Sequence, residues 1–108
     1  QTYIDCARWD WGELGRFVQR LRDTPEGDGN MLDHSIVVGV SHFSHHHDIR
    51  RIPVVLFGTQ KSGFRPGRVL RQPQPVHNDR VFVSVARAFG VPLDGFGDDA
   101  ACGPLPLL

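Results

Sequence analysis

Apolar residues recur every three or four positions between about residues 10 and 23, the spacing that places side chains on one face of a helix. These apolar positions are Trp11, Leu14, Phe17, Val18 and Leu21. Asp10 followed by Glu13 resembles a capping box, in which an N-cap acceptor precedes a carboxylate by three residues. Thr24-Pro25 should end the helix, because proline disfavours helical backbone in the residue before it. The pattern therefore predicts a first helix over about 10–23.

Two short runs further along are rich in β-branched residues and show little polar alternation. They cover about residues 35–41 and 52–57, and a shorter run at 68–71 is a third strand candidate. Continuous apolar runs of this length are typical of strands that are covered on both faces. The sequence therefore predicts an α/β fold, with a small, partly parallel sheet covered by helices.

A second helix is predicted over about 79–89. Asn78 suits the N-cap position, and the apolar face that follows ends at Gly90, which suits the left-handed position after a helix. Glycines and prolines then recur from residue 91 to residue 108. We expect this stretch to be a long irregular C-terminal tail that is held by packing.

Length and charge narrow the class of protein. A chain of 108 residues forms a single domain or a domain fragment, and no apolar run approaches the roughly 18 to 20 residues of a membrane helix. Twelve basic residues balance twelve acidic ones, so net charge gives nucleic-acid binding no support. The start at Gln1, without methionine or a targeting pattern, is expected from a processed or truncated chain.

Cys6 and Cys102 lie near opposite ends of the chain. A disulfide between them would close nearly the whole chain, and in the chain-entropy model it would stabilise the fold by about 4 to 5 kcal/mol at most. Such a bridge requires an oxidising compartment. The alternative is two unpaired thiols, one of them packed in the core.

The residue types with most chemical content follow the first strand candidate directly. His42, His45, His47 and Asp48 could supply ligands for a divalent metal such as zinc, or for calcium. Adjacent side chains in an extended loop point in alternate directions, so two histidines with Asp48 form a more realistic site than all of them. The alternative is structural, with these side chains bonded to the backbone of a tight loop.

Arginines between the second strand candidate and the second helix form another candidate site. Arg65, Arg68 and Arg71 could bind phosphate or sulfate if they converge, and otherwise they are exposed surface residues. No serine lies in a nucleophile motif and no glycine-rich loop has the phosphate-binding pattern of nucleotide hydrolases. Catalytic residues are therefore not identified.

Several longer motifs occur between Trp11 and Leu108. They include Thr-Pro-Glu-Gly-Asp-Gly-Asn-Met-Leu-Asp-His-Ser at 24–35, the histidine-rich loop, Pro-Val-Val-Leu at 53–56, Arg-Pro-Gly-Arg at 65–68, His-Asn-Asp at 77–79, Phe-Gly-Val-Pro at 89–92, Phe-Gly-Asp at 96–98 and Cys-Gly-Pro-Leu-Pro-Leu at 102–107. In combination they resemble the C-terminal part of a bacterial family of exported proteins of unknown function. That family carries a twin-arginine signal and is distantly similar to the alkaline-phosphatase and sulfatase superfamily.

The resemblance implies that the chain is part of a larger sulfatase-like fold in the periplasm or at the cell surface. In that superfamily an Asp-His pair after a core strand binds a catalytic metal, and here Ser41-His42 stands at that place. We therefore expect a non-catalytic structural or accessory polypeptide, whose partners are the remainder of its own chain or other protein subunits. Two alternatives stay open, which are the metal-binding C-terminal part of a phosphate- or sulfate-ester hydrolase and an anion-binding module.

Overall fold

The computed structural model describes residues 2–41, 52–63, 65–72, 74–97 and 103–105. In chain order its elements are helix α1 (Tyr3–Asp23), strands β1 (Pro25–Glu26) and β2 (Gly29–Asn30), a 3-10 helix (Met31–His34), strands β3 (Val37–Val40) and β4 (Val54–Phe57), and helix α2 (Asp79–Ala88). The two helices and two small sheets confirm the mixed α/β class.

Helix α1 begins seven residues before the predicted start at Asp10. Its N-cap is Thr2, whose hydroxyl accepts a hydrogen bond from the Asp5 N–H at 3.3 Å, while the Asp5 carboxylate accepts one from the Thr2 N–H at 3.1 Å. Thr2 and Asp5 thus form the capping box that the sequence analysis assigned to Asp10 and Glu13, which lie inside the helix. The capping motif occurs twice in the sequence, and the earlier copy starts the helix because no residue between the two interrupts it.

Both sheets described by the structure are two-stranded and antiparallel, whereas the sequence analysis predicted a partly parallel sheet. In the larger one, Val37 lies opposite Phe57 and Val40 lies opposite Val54. An unbroken apolar run is typical of a strand that is covered on both faces, but it carries no information about the direction of the neighbouring strand. The direction of pairing is therefore the part of this prediction that differs.

The run at 68–71 forms no strand, although the sequence predicted one. A stretch of this length becomes a strand only when a neighbouring strand satisfies its backbone hydrogen bonds. Here the segment lies beside β4 without pairing to it.

Helix α1 packs against β3 at Gly39. A β-carbon at Gly39 would lie 2.8 Å from Cδ2 of Leu14 and 2.9 Å from Cζ3 of Trp11. Glycine is therefore required for the close approach of this helix to the strand. The contact places Leu14 and Trp11 on the side of α1 that faces β3.

A hydrogen-bonded node joins the β1–β2 hairpin to the 3-10 helix. Asn30 caps this short helix through bonds from the N–H groups of Leu32 and Asp33 at 3.0 and 3.2 Å, and the Asp33 carboxylate accepts a bond from the Asn30 N–H at 3.2 Å. Asp33 is buried, and Nζ of Lys61 lies 3.8 Å from its carboxylate. The node therefore ties the turn around residue 61 to the hairpin.

Helix α2 ends as its sequence predicts. Gly90 has a φ of +76°, its N–H bonds the Arg87 carbonyl at 3.0 Å, and the Val91 N–H bonds the Ala86 carbonyl at 3.0 Å. This pair of bonds is a Schellman motif, which requires the left-handed conformation that glycine adopts without strain. At the other end Asn78 occupies the N-cap position, but its side chain makes no capping hydrogen bond.

The described parts of the C-terminal tail have no regular secondary structure and are held on α2 by polar side chains. Arg80 donates to the carbonyls of Gly103 and Pro104 at 3.2 and 3.1 Å. Ser84 accepts from the Leu105 N–H at 2.7 Å. The ring of Phe96 lies 5.3 Å from that of Phe82.

The hydrophobic core of the described residues is small. Its buried hydrophobic members are Leu32, Val81 and Val83, and helix α1 contributes no buried residue. A chain of about this length normally buries roughly two-thirds of the surface that its unfolded form exposes. Much of the apolar surface that the sequence supplies therefore remains accessible.

Candidate functional site

Large apolar side chains of helix α1 are exposed along its length. The exposed fraction is 86% for Tyr3, 62% for Trp9 and 50% for Phe17. We call the exposed apolar side chains of this helix the α1 surface, and its members are Tyr3, Ile4, Trp9, Trp11 and Phe17. Isolated exposed apolar residues are ordinary, but several of them on one helix indicate a contact surface.

The geometry of the helix places one member of the α1 surface, Trp9, on the side away from β3. Trp9 precedes the half-buried Val18 by nine residues, which at about 100° per residue places the two side chains on opposite sides of the helix. Trp9 is therefore a large apolar residue on the side of α1 away from β3, where its helical neighbours Asp5, Glu13 and Arg16 are charged.

Charged residues border Trp9. Glu13 and Arg16 form an ion pair one turn and two turns further along the helix. The hydrogen bond from Arg16 lowers the pKa of Glu13, and the same bond raises the pKa of Arg16, so both groups are charged at neutral pH. An aromatic centre with a charged rim is the usual anatomy of a protein–protein contact.

A second candidate site is a groove of about 380 Å³ beside β4, which we call the β4 groove. Its described lining consists of Val54, Val55 and Leu56 on one side and residues 65–70 on the other. Val69 is 87% exposed there. The Nε of Arg68 donates to the Arg65 carbonyl at 3.0 Å, which holds this segment in a tight bend.

The structure brings two of the three predicted anion-binding arginines together. Arg65 and Arg68 both line the β4 groove, and no acidic residue is present in its described lining. Arg71 is exposed and is not part of that lining. The predicted arginine cluster is therefore a pair at the groove with a third arginine outside it.

The predicted metal ligands His42, His45, His47 and Asp48 lie outside the described residues. Within the described ranges, no three histidine, cysteine, aspartate or glutamate residues are grouped so that they could hold a metal ion. Cys6 is exposed on α1, whereas Cys102 lies outside the described residues, so their pairing stays a prediction.

Helix α2 carries a stripe of polar residues that was not predicted from the sequence. Arg80, Ser84 and Arg87 are spaced by four and three residues and lie on one side of this helix. Arg80 and Ser84 bind the tail as described, and Arg87 donates to the Leu93 carbonyl at 2.9 Å and pairs with Asp94 at 2.6 Å. The sequence signal that could have identified this stripe is the spacing of its polar residues on an otherwise apolar helix.

The fold and its surfaces together define a small α/β chain with several exposed apolar side chains. Comparison with protein-family models, with curated proteins and with solved structures finds no match for this chain. The resemblance to an exported, sulfatase-like family therefore stays a prediction. In the part of the chain that the structure describes, no helix is long and apolar enough to cross a membrane.

Proposed function

We propose that this chain is a non-catalytic structural or accessory polypeptide of a larger extracytoplasmic assembly. The observation that carries the proposal is the α1 surface, in which Trp9 remains exposed on the side of α1 away from β3 and Phe17, one turn from Leu14, is exposed as well. Its occupant is protein, either the remainder of the same chain or another subunit.

Burial energetics favour this occupant. Covering a large aromatic side chain contributes on the order of 1.5 to 3 kcal/mol relative to leaving it in water. The charged pair of Glu13 and Arg16 borders Trp9 and would stay hydrated at the rim of such a contact. A protein contact therefore stabilises α1 without desolvating this ion pair.

The finer fold prediction belongs to the same proposal. Strands β3 and β4 would form part of a larger, partly parallel sheet in a sulfatase-like fold, and α1 would lie between that sheet and a further layer. An unbroken apolar strand pair with a helix on one face is consistent with this arrangement. The periplasmic or cell-surface location rests on the resemblance alone.

The two tryptophans of the protein both lie on α1, which makes them natural probes of the proposed contact. The chain would be labelled with fluorotryptophan and recombined with the rest of the assembly purified from native cells. Fluorine NMR in light and heavy water then measures the solvent exposure of each indole, with Trp9→Phe providing the assignment. We expect the exposure of Trp9 to fall sharply on incorporation.

Charge substitutions complete the test. Trp9→Glu and Phe17→Glu should each weaken incorporation by about tenfold or more, because a carboxylate would be desolvated in the contact. Gln19→Glu places the same charge on an exposed polar position of α1 and should have little effect. A chain that is monomeric in a native extract, with Trp9 equally exposed before and after recombination, would contradict the proposal.

Of the two alternatives, the anion-binding module has one supporting observation, which is that Arg65 and Arg68 line one groove. The metal-dependent hydrolase has none among the described residues, because its proposed ligands His42, His45, His47 and Asp48 lie outside them. Measuring bound zinc and calcium in the native chain, before and after His45→Ala, tests the hydrolase alternative. A stoichiometric metal that this variant loses would support it.

A further inference from the structure

The β4 groove has a lining that identifies which part of β4 it exposes. Val54, Val55 and Leu56 are consecutive, and successive side chains of a strand point to opposite faces of the sheet. One face cannot present all three residues, so the groove runs along an edge of the strand. The other edge of β4 pairs with β3, and the groove therefore lies at the outer edge.

The outer edge of β4 presents backbone groups that need partners. In an antiparallel pair, alternate residues direct their N–H and C=O groups to the neighbouring strand and the others direct them outward. Within the described residues no strand pairs with this edge, and residues 65–70 border it without forming a ladder. A ligand that matches such an edge is an extended peptide backbone.

We propose that the β4 groove is the site where an extended, acidic segment of a partner protein adds to the sheet as a third strand beside β4. The proposal rests on the proposed function, and it specifies how one contact within that assembly is made. Backbone hydrogen bonds to β4 supply the affinity that is independent of sequence. Side chains that face the groove walls supply the selectivity.

The groove walls define the chemistry of this segment. Val69 and Leu70 are exposed and offer apolar contact to alternate side chains of the added strand. Arg65 is exposed and gives the described lining of the groove a positive charge. A carboxylate on the incoming strand complements this charge, whereas a basic strand would be repelled.

The test uses the full chain and a short synthetic peptide in which valine alternates with glutamate. Isothermal titration at low ionic strength should detect binding, and a peptide with lysine in place of glutamate should bind about tenfold more weakly or worse. Two methylated versions of the acidic peptide carry methyl groups on alternate backbone nitrogens, one version on the odd-numbered residues and the other on the even-numbered residues. Only the version whose methylated nitrogens would face β4 should lose binding. Inorganic phosphate should compete only weakly.

Matched substitutions locate the binding site. Val69→Asp and Arg65→Glu should each weaken binding of the acidic peptide by about tenfold. Val91→Asp and Arg22→Glu make the same changes at exposed positions outside the groove and should leave binding unchanged. Circular dichroism of each variant verifies that the fold is retained.

Three outcomes would overturn the inference. Equal binding of the methylated peptides would exclude backbone pairing, and equal binding of the basic peptide would exclude the charge selection. Full competition by inorganic phosphate would identify a simple anion site. The proposed function has a separate readout on α1, so it can fail while peptide binding to the groove succeeds, and the reverse also holds.

Discussion

At the scale of single residues, Gly39 decides how closely α1 approaches β3. Its missing side chain leaves room for Leu14 and Trp11, which would lie within 3.0 Å of a β-carbon at that position. The sequence places this glycine among valines, where nothing distinguishes it from a weak point in a strand. Only the packing of the helix over it supplies the reason.

Gly39→Ala should therefore destabilise the chain by about 1 to 3 kcal/mol, because the added methyl group overlaps the helix. Gly15→Ala is the matched control, since Gly15 lies within α1 and a β-carbon there would meet no atom within 4 Å. That control should stabilise by about 0.5 to 1 kcal/mol, as alanine favours helix. Urea unfolding measures both, and equal effects of the two substitutions would contradict the packing described here.

Ser84 is fully buried and links α2 to the tail. Its hydroxyl accepts from the Leu105 N–H at 2.7 Å and lies 3.0 Å from the Arg80 carbonyl and 3.1 Å from the Leu105 carbonyl. Ser84→Ala leaves the Leu105 N–H without this acceptor, which should cost about 1 to 3 kcal/mol. Hydrogen exchange at the Leu105 amide should accelerate, and an unchanged exchange rate would show that the tail is held in another way.

At the scale of elements, the Asp33 node makes stability depend on pH. The hydrogen bond from the Thr59 hydroxyl lowers the pKa of Asp33, and the Asn30 N–H and the charges of Lys61 and His34 act in the same direction, whereas burial raises it. The folded pKa lies below the unfolded value of about 3.9. The stabilisation is therefore complete above that value and is lost as the pH falls through the lower, folded pKa.

Asp33→Asn should reduce the loss of stability between about pH 5 and pH 2, because the substituted side chain does not ionise. Thr59→Ala should reduce it partly, since it removes the bond that lowers this pKa most. Urea midpoints measured across this pH range test both variants. An acid dependence identical to that of the natural chain would show that Asp33 is not the responsible group.

At the scale of the whole molecule, the small core predicts weak cooperativity for the isolated chain. With Leu32, Val81 and Val83 as the buried hydrophobic residues of the described part, unfolding exposes little additional surface. The urea m-value should therefore lie near the lower end of the typical range of roughly 1 to 3 kcal/mol/M. A steep unfolding transition with a high urea midpoint would show that the isolated chain has a larger core. If the transition of the isolated chain is shallow, recombination with the assembly should make it steeper.

Part of the candidate site could be predicted from the sequence, and the rest depends on the tertiary structure. The arginines at 65, 68 and 71 were found by composition, but their separation into a groove pair and an outlying residue depends on the bend between Arg65 and Arg68. The exposure of Trp9 was not predicted, because the predicted helix began at Asp10 and left Trp9 outside it. The β4 groove depends on two segments that are distant in sequence.

Local rules were sufficient to predict the α/β class of this protein and the positions of most of its helices and strands. Hydrophobic spacing gave both helices and the two longer strands, and Gly90 ended α2 as predicted, because these features depend on residues close together in the chain. The tertiary structure decided the direction of strand pairing and the absence of a strand at 68–71. Each of these depends on competition between alternatives of similar local energy, which only contacts between distant segments resolve.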